Sequence, residues 1–346
     1  MDIFVYNTNK QKVTIIDYAE SIIFTTKLAE IGDFELKIPI INKNDLNNIK
    51  LGYMVKTTQA KSKFFIIKEI ESVLDNENGN YIYFRGEELK TLLTQRIIVG
   101  QKIYNDTITN NCLELKNYID TYYPYNQELY FYANLNNDNT AYDFQFDFET
   151  FYNALKTMCD RINCYFDLVF PPEGYEAQFL QLRIFEPTST PNIVFAQSFN
   201  NVLSFSQKMD NYEFCNAACV VGEGNGTAKR YQTVTTGETD KNIIFYNKVD
   251  ATEISSNSGV VTQAQYNNFL KNQGEAYINS TAIKKVYDMQ INTKMYKYLD
   301  DFKVSDVVKI INPFDNTILN AIITEVTEKW DESGYLCEPK LEILNS

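Results

Sequence analysis

The chain uses one β pattern twice. Near its N-terminus it runs Leu51-Gly-Tyr-Met-Val-Lys56, a polar gap, Phe64-Phe-Ile-Ile-Lys-Glu-Ile-Glu-Ser72, a turn at 75–80 and Tyr81-Ile-Tyr-Phe84. Near its C-terminus it runs Val304-Ser-Asp-Val-Val-Lys309, another polar gap, Ala321-Ile-Ile-Thr-Glu-Val-Thr-Glu328, a turn at 331–334 and Tyr335-Leu-Cys-Glu338. Each copy gives three β segments in one order, and Ile66-Ile-x-Glu-Ile70 is echoed by Ile322-Ile-x-Glu-Val326. Two unrelated amphipathic hairpins would also echo one another over so short a span. If the copies are true repeats, three chains can present six near-equivalent positions around a ring, a geometry suited to assembly rather than catalysis.

Composition narrows the chemistry. With 25 Tyr and 23 Phe in 346 residues, the chain favours pleated, half-buried surfaces, and its length allows two or three cores. It contains no histidine, which removes Ser-His-Asp and Cys-His nucleophile pairs, His-ligated zinc and imidazole acid–base work. A formal net charge of −13 argues against gripping nucleic acid, which needs clustered Lys and Arg. Six cysteines without a Cys-x-x-Cys pair read as reduced, mostly buried small hydrophobes. The start Met1-Asp-Ile-Phe4 lacks the basic and apolar regions of a signal peptide, and no apolar run is long enough to span a bilayer, so no direct membrane anchor is expected.

Along the chain, residues 1–98 are expected to form a β-rich unit. Its hairpins are Ile3–Tyr6 with Val13–Ile16 and Ser21–Lys27 with Phe34–Ile38, a short helical turn lies at Leu46–Ile49, and the first repeat follows. Residues 99–200 change to α+β. One helix carries Ile108, Cys112, Leu115 and Ile119 behind a cap at Asp106-Thr107, and a second carries Phe151, Leu155, Met158 and Ile162. Strands are expected at Tyr142–Phe148, Tyr165–Phe170 and Phe179–Phe185, the last two around the loop Pro171–Gly174. Residues 201–346 return to β structure, with strands at Val202–Gln207, Ala217–Val221, Asn242–Tyr246 and Lys284–Ile291. A helix-containing insertion is placed at about 227–285, its helix at about 262–280 opened by the capping box of Thr262 and Gln265.

Four motifs could carry chemistry, and each has a plainer reading. Gly222-Glu-Gly-Asn-Gly226 suggests a phosphate cradle, but Thr227 stands where a third glycine belongs and a β-leaning run follows, so a strand-ending turn is expected. The aromatic alternation Tyr142–Phe148 fits a sugar-stacking platform or, more simply, a ladder within a sheet. The pairs Glu69/Glu71 and Glu87/Glu88 are all a carboxylate-only glycosidase would need, yet Glu69 and Glu71 flank an inward Ile70 as a solvated face does. Asp75–Gly79 imitates a calcium loop but has Gly86 where the twelfth-position acid belongs. No catalytic, cofactor-binding or metal-ligating residue is therefore assigned, and no cofactor is expected.

The runs Ile15-Ile-Asp17, Gly32-Asp-Phe-Glu-Leu-Lys-Ile-Pro39, Gly52-Tyr-Met-Val55, Phe65-Ile-Ile-Lys-Glu-Ile70, Gly86-Glu-Glu-Leu89, Arg96-Ile-Ile98 and Val220-Val-Gly-Glu-Gly224 resemble, in order, the hub or tail-associated proteins of long-tailed phages. The resemblance implies the fold shared with contractile-phage baseplate hubs and the body of VgrG spikes. That fold is mainly β with α+β insertions: two similar β-barrel domains forming a pseudo-six-fold trimeric ring, at 1–98 and 201–346, with the α+β domain at 99–200 on the periphery. It implies a structural, non-enzymatic baseplate or tail-tip hub of the virion, made in the host cytoplasm, which closes the distal tail tube and adapts six-fold symmetry to a three-fold tip. Implied neighbours are a hexameric distal tail protein and the tape-measure protein. Because the chain ends at Ser346 soon after the second repeat, receptor-binding or spike proteins are expected as separate chains, while genomic DNA passes through an acidic lumen without specific binding. The rival reading is a carbohydrate- or receptor-binding tail module, with the glycosidase behind it.

Overall fold

The pleat alternates side chains between two faces, and the burial of segments 3–6, 33–39, 79–88 and 306–311 follows it residue by residue. The structure, a computed structural model, describes residues 2–40, 48–57, 63–75, 79–123, 129–136, 138–170, 180–210, 212–235, 244, 246–256, 261–281, 284–292 and 294–344. The N-terminal part gives strands β1 (Ile3–Tyr6), β2 (Lys12–Ile16), β3 (Ser21–Lys27), β4 (Asp33–Pro39), β5 (Met54–Thr57), β6 (Phe65–Asp75) and β7 (Gly79–Glu88), then a single turn, α1 (Thr91–Thr94). The middle part gives β8 (Gln101–Asp106), α2 (Ile108–Tyr122), β9 (Tyr130–Asn134), β10 (Tyr142–Asp147), α3 (Phe151–Asp160), β11 (Tyr165–Val169), β12 (Gln181–Phe185) and β13 (Thr188–Phe195). The C-terminal part gives β14 (Val202–Asp210), β15 (Ala217–Val221), β16 (Tyr231–Thr235), β17 (Tyr246–Asp250), α4 (Gln263–Ser280), β18 (Lys284–Ile291), β19 (Asp306–Ile311), β20 (Ile318–Asp331) and β21 (Gly334–Ile343).

Each long helix starts where a threonine satisfies an orphan backbone N–H. Thr107 accepts from Asn110, Thr150 from Asn153, and Thr262 closes the expected capping box with Gln265. The apolar stripe of α2 (Ile108, Cys112, Leu115, Ile119) is fully buried, packed with α3 and with Phe144 and Phe146 of β10 in one core. Three further cores lie under β1–β7, around β18–β21, and between α4 and the small sheet β16-β15-β17.

Thirteen strands share one sheet, in the order β14-β18-β21-β20-β3-β4-β7-β6-β5-β1-β2, with β19 also on β20 and β13 on β19. This corrects the expectation of two β-barrel domains. Both repeats lie in one open sheet, and no sheet closes on itself among the described residues. The physical reason is the route of β20. Its early half pairs with β19, but on the same edge its later half pairs with β3 of the other repeat rather than with a strand that would close a barrel.

Smaller differences have local causes. The polar stretch after residue 227 contributes β16, because Tyr231-Gln-Thr-Val-Thr235 alternates against β15. The strand expected at Asn242–Tyr246 and the turn at Leu46–Ile49 lie largely outside the described residues, as does the loop Pro171–Gly174.

The β6–β7 pairing slips by one residue between Ile67 and Glu69, leaving Lys68 as a bulge. That slip brings the Ile66 carbonyl to within 1.8 Å of where a Cβ on Gly86 would sit. Gly86→Ala should therefore destabilise the chain by about 1–3 kcal/mol, read as a lower midpoint of urea unfolding with the fold retained by circular dichroism.

Candidate assembly interface

The repeat is larger and more regular than the sequence echo suggests. The order β3-β4-β7-β6-β5 recurs as β14-β18-β21-β20-β19. In the first copy Met54 faces Ile66, Ile67 faces Gly86, Lys68 bulges and Glu69 faces Arg85. In the second, Val307 faces Ile322, Ile323 faces Leu341, Thr324 bulges and Glu325 faces Lys340. Outward from there, Phe34 opposite Gly86 becomes Tyr287 opposite Leu341, and Ile22 opposite Leu36 becomes Phe205 opposite Met289. Even the residue leading into β5 and into β19 matches. Gly52 has φ 83° and donates its N–H to the Ile67 carbonyl at 2.8 Å; Ser305 has φ 86° and donates to the Ile323 carbonyl at 2.9 Å. The copies diverge at their flanks, where β1 runs antiparallel to β5 but β13 runs parallel to β19.

One register joins the copies. Along β20, Val326 faces Thr26, Glu328 faces Phe24 and Trp330 faces Ile22 of β3. Val326, Ile22, Phe24 and Thr26 are buried there, and the Trp330 ring lies edge-on to Phe24 at 6.3 Å and stacks on Tyr335 at 4.7 Å. Burial pushes the Glu328 carboxyl up to about 7, against the opposing effect of the hydrogen bond that the Tyr335 hydroxyl donates to it at 2.9 Å.

Conserved geometry carries charge with it. Arg85 donates to Glu35 at 2.5 Å and to Glu69 and Glu71 at 2.6 Å each; these hydrogen bonds, from Glu35 first, hold its pKa above the ordinary guanidinium value. The second copy puts Asp288, Lys340 and Glu325 at the matching register positions. A second network is buried. The Lys90 ammonium donates to the carbonyls of Lys27, Leu28 and Glu30 and lies 3.2 Å from Glu88, which accepts from the Gly32 N–H at 3.0 Å. Lys63 bridges Glu88 to Asp167 of β11. Burial alone would lower the Lys63 pKa, but Asp167 and Glu88 outweigh it and hold the ammonium charged. These charges fasten the α+β part to the sheet.

The motifs singled out in the sequence fall into structural roles. Glu69 and Glu71 are engaged by Arg85, Glu87 accepts from the Thr91 hydroxyl at 2.7 Å, and Glu88 is held by Lys90, so the two pairs do not face one another across a cleft. Phe144 and Phe146 are buried, which leaves no stacking platform on that face of β10; Tyr130 and Tyr132 stand exposed on β9. Gly222 packs against Tyr266, whose hydroxyl accepts from the Glu223 N–H at 2.8 Å, and the turn leads into a 3-10 turn and β16 rather than a phosphate-binding helix. Of the turn Asp75–Gly79, residues 76–78 lie outside the described residues. Among the described residues, no cluster of three or more acids or cysteines is placed to hold a metal ion. Sequence reading missed β4/β18 and β3/β14 as members of the repeat. Phe34-Glu-Leu-Lys-Ile38 beside Tyr287-Asp-Met-Gln-Ile291 was the signal that could have found them.

This architecture, a duplicated five-strand unit with an α+β part between, is that of phage tail proteins. It is similar over 99% of the chain to the 43 kDa tail protein of prophage MuSo2 from Shewanella oneidensis (TM-score 0.61, 12% identity, 98% of that chain). It is likewise similar to a tail protein from Neisseria meningitidis MC58 (0.60, 11%, 99% of this chain and 96% of that one) and to prophage tail protein gp18 from Listeria monocytogenes EGD-e (0.58, 12%, 99% and 94%). A search of curated proteins finds no match. The chain belongs to the family of Siphovirus ReqiPepy6 Gp37-like proteins, whose family model matches residues 2–341. Its fold is that of these phage tail proteins.

Two substitutions test the quasi-equivalence and the junction. Holding a non-glycine residue in the left-handed region costs about 1–2 kcal/mol, so Ser305→Gly should stabilise by about 0.5–1 kcal/mol after glycine's chain entropy, while Gly52→Ser destabilises; urea midpoints read both. Glu328 is protonated in the native state up to about pH 7, so the folded state binds the extra proton and stability falls as pH rises from about 4.5 to about 7. Glu328→Gln should unfold later than the parent at pH 8, by a few kcal/mol at most on the order set by that shift, and match it near pH 4 in thermal melts.

Proposed function

We propose that this protein is the non-catalytic hub that closes the distal end of the tail tube and adapts its six-fold symmetry to a three-fold tip. The observation that carries the reading is the repeat: the same five strands, with the same register, bulge and left-handed residue, appear twice in one chain. A ring of three chains then offers six matching faces, which is what a hexameric partner requires. The three segments 1–98, 99–200 and 201–346 serve as first hub unit, peripheral α+β unit and second hub unit. The hexameric distal tail protein docks on the six faces, the end of the tape-measure protein reaches the lumen, and receptor-binding or spike proteins attach as separate chains. A net charge of −13 per chain favours a lumen through which DNA slides without specific binding. Mixing the purified chain with the distal tail protein should give a complex with three copies of this chain to six of the other by native mass spectrometry. Six copies to six, or no complex, would overturn the proposal.

A further inference from the structure

A cavity of about 250 Å³ opens where the α+β part meets the end of β3 and the segment 298–305 that leads into β19. One wall is a face of the small sheet β11-β12-β9. Register sets Tyr132, Arg183 and Asp167 side by side in one row, with Asn134 and Phe185 in the next row of the same face. On the opposite wall, Leu299 and Ser305 hold left-handed backbone, at φ 68° and 86°, which non-glycine residues adopt only where their surroundings impose it. The Leu299 N–H closes its turn on the Phe302 carbonyl at 2.7 Å, and Lys303 follows directly.

The charges around this cavity do not cancel. Four basic side chains line it, Lys27, Lys63, Arg183 and Lys303, against two acids, Asp167 and Glu186, in a chain whose net charge is −13. Lys63 bridges Asp167 and Glu88, and Lys27 lies 3.6 Å from Asp33. Glu186 accepts from the Asn136 side chain at 2.7 Å and from its backbone N–H at 3.1 Å. Arg183 and Lys303 are left over. Arg183 donates its Nε–H to Gln181 at 2.7 Å; among the described residues neither its two Nη groups nor the Lys303 ammonium forms an ion pair.

We propose that this cavity binds an acidic sugar, a single pyranose ring bearing a carboxylate. The carboxylate meets the Arg183 fork, whose parallel N–H groups match two oxygens, with the Lys303 ammonium beside it. The ring lies against Tyr132 and Phe185, and its hydroxyls donate to the remaining lone pairs of Asp167 and Glu186 and bond the Asn134 amide. A bare inorganic anion would leave the aromatic wall uncovered and face two carboxylates; a neutral sugar would leave two cations uncompensated. The volume is well above the ~30 Å³ of one water and just below the ~300–1,000 Å³ of drug-sized ligand pockets, the room of one ring. Every residue involved belongs to one chain, so the proposal does not depend on the three-copy ring.

Titration of the full chain with glucuronate and galacturonate, followed by saturation-transfer NMR, tests it, with glucose and acetate standing for the ring and the carboxylate alone. At least one acidic sugar should bind saturably, roughly tenfold or more tighter than glucose, acetate or inorganic phosphate. Arg183→Gln and Lys303→Ala should each weaken that binding by roughly tenfold, with the circular dichroism spectrum unchanged. Lys303 is exposed, so its variant reports on the site even if Arg183→Gln disturbs the fold. Lys248→Ala, which removes an exposed lysine on β17, should leave binding as it was. No saturable binding of either acidic sugar, equal binding of glucose, acetate or phosphate, or binding that survives Lys303→Ala overturns the proposal, and none of these results touches the hub reading.

Discussion

A single-residue bulge governs how this sheet is built. In a regular antiparallel ladder a long strand presents one straight edge, and a single neighbour takes all of it. An extra residue bends the strand and raises its twist, so the two halves of one edge face different directions. Thr324 does this in β20. Before it the edge belongs to β19; after it, to β3. The fourth strand of the second unit thus becomes the splice to the first, and a chain whose repeats lie far apart in sequence acquires one continuous sheet. Lys68 introduces the same bend in β6, and Gly86, opposite the neighbouring Ile67, is the residue that lets the two backbones approach.

The splice is mostly apolar, with one titratable group set into it. Glu328 sits between Phe24 and Tyr335, where burial keeps the carboxyl neutral well above the usual carboxylate range, up to about pH 7. The other buried charges behave differently. Lys90, Glu88, Lys63 and Asp167 compensate one another and three main-chain carbonyls, so removing one partner would strand the others in a low-dielectric setting. Their position matters more than their energy. They run from the loop after β3, through the end of β7, to β11, and so fix the α+β part against the unit that the splice holds.

Much of this was legible in the sequence because period-2 alternation and helix caps are local signals. Phe34, Leu36 and Ile38, the stripe of α2 and the Thr262–Gln265 box each announce their element without help from distant residues. The doubled Ile-Ile-x-Glu motif was legible too, and the bulge at its third position explains why that position varies, Lys in one copy and Thr in the other, while its neighbours do not. What stayed hidden was non-local. Whether β20 pairs within its own unit or with β3 depends on a bend and a partner some 300 residues away in the chain, and an alternating pattern is silent about which edge meets which. The expected barrels failed at that step: the strands of the two repeats form where they were expected, β8, β13 and β16 were not foreseen, and the repeats do not close.

Openness has its own logic here. A closed barrel has no edges and can offer neighbours only side chains. An open sheet made of repeats keeps two edges, and because the repeats are alike, those edges are shaped by the same register that already works inside the chain. A heterologous contact of that kind either closes into a ring or runs on as a filament. What decides between them is the rotation from one unit to the next, and that rotation is fixed in covalent form once per chain, at the β20–β3 splice.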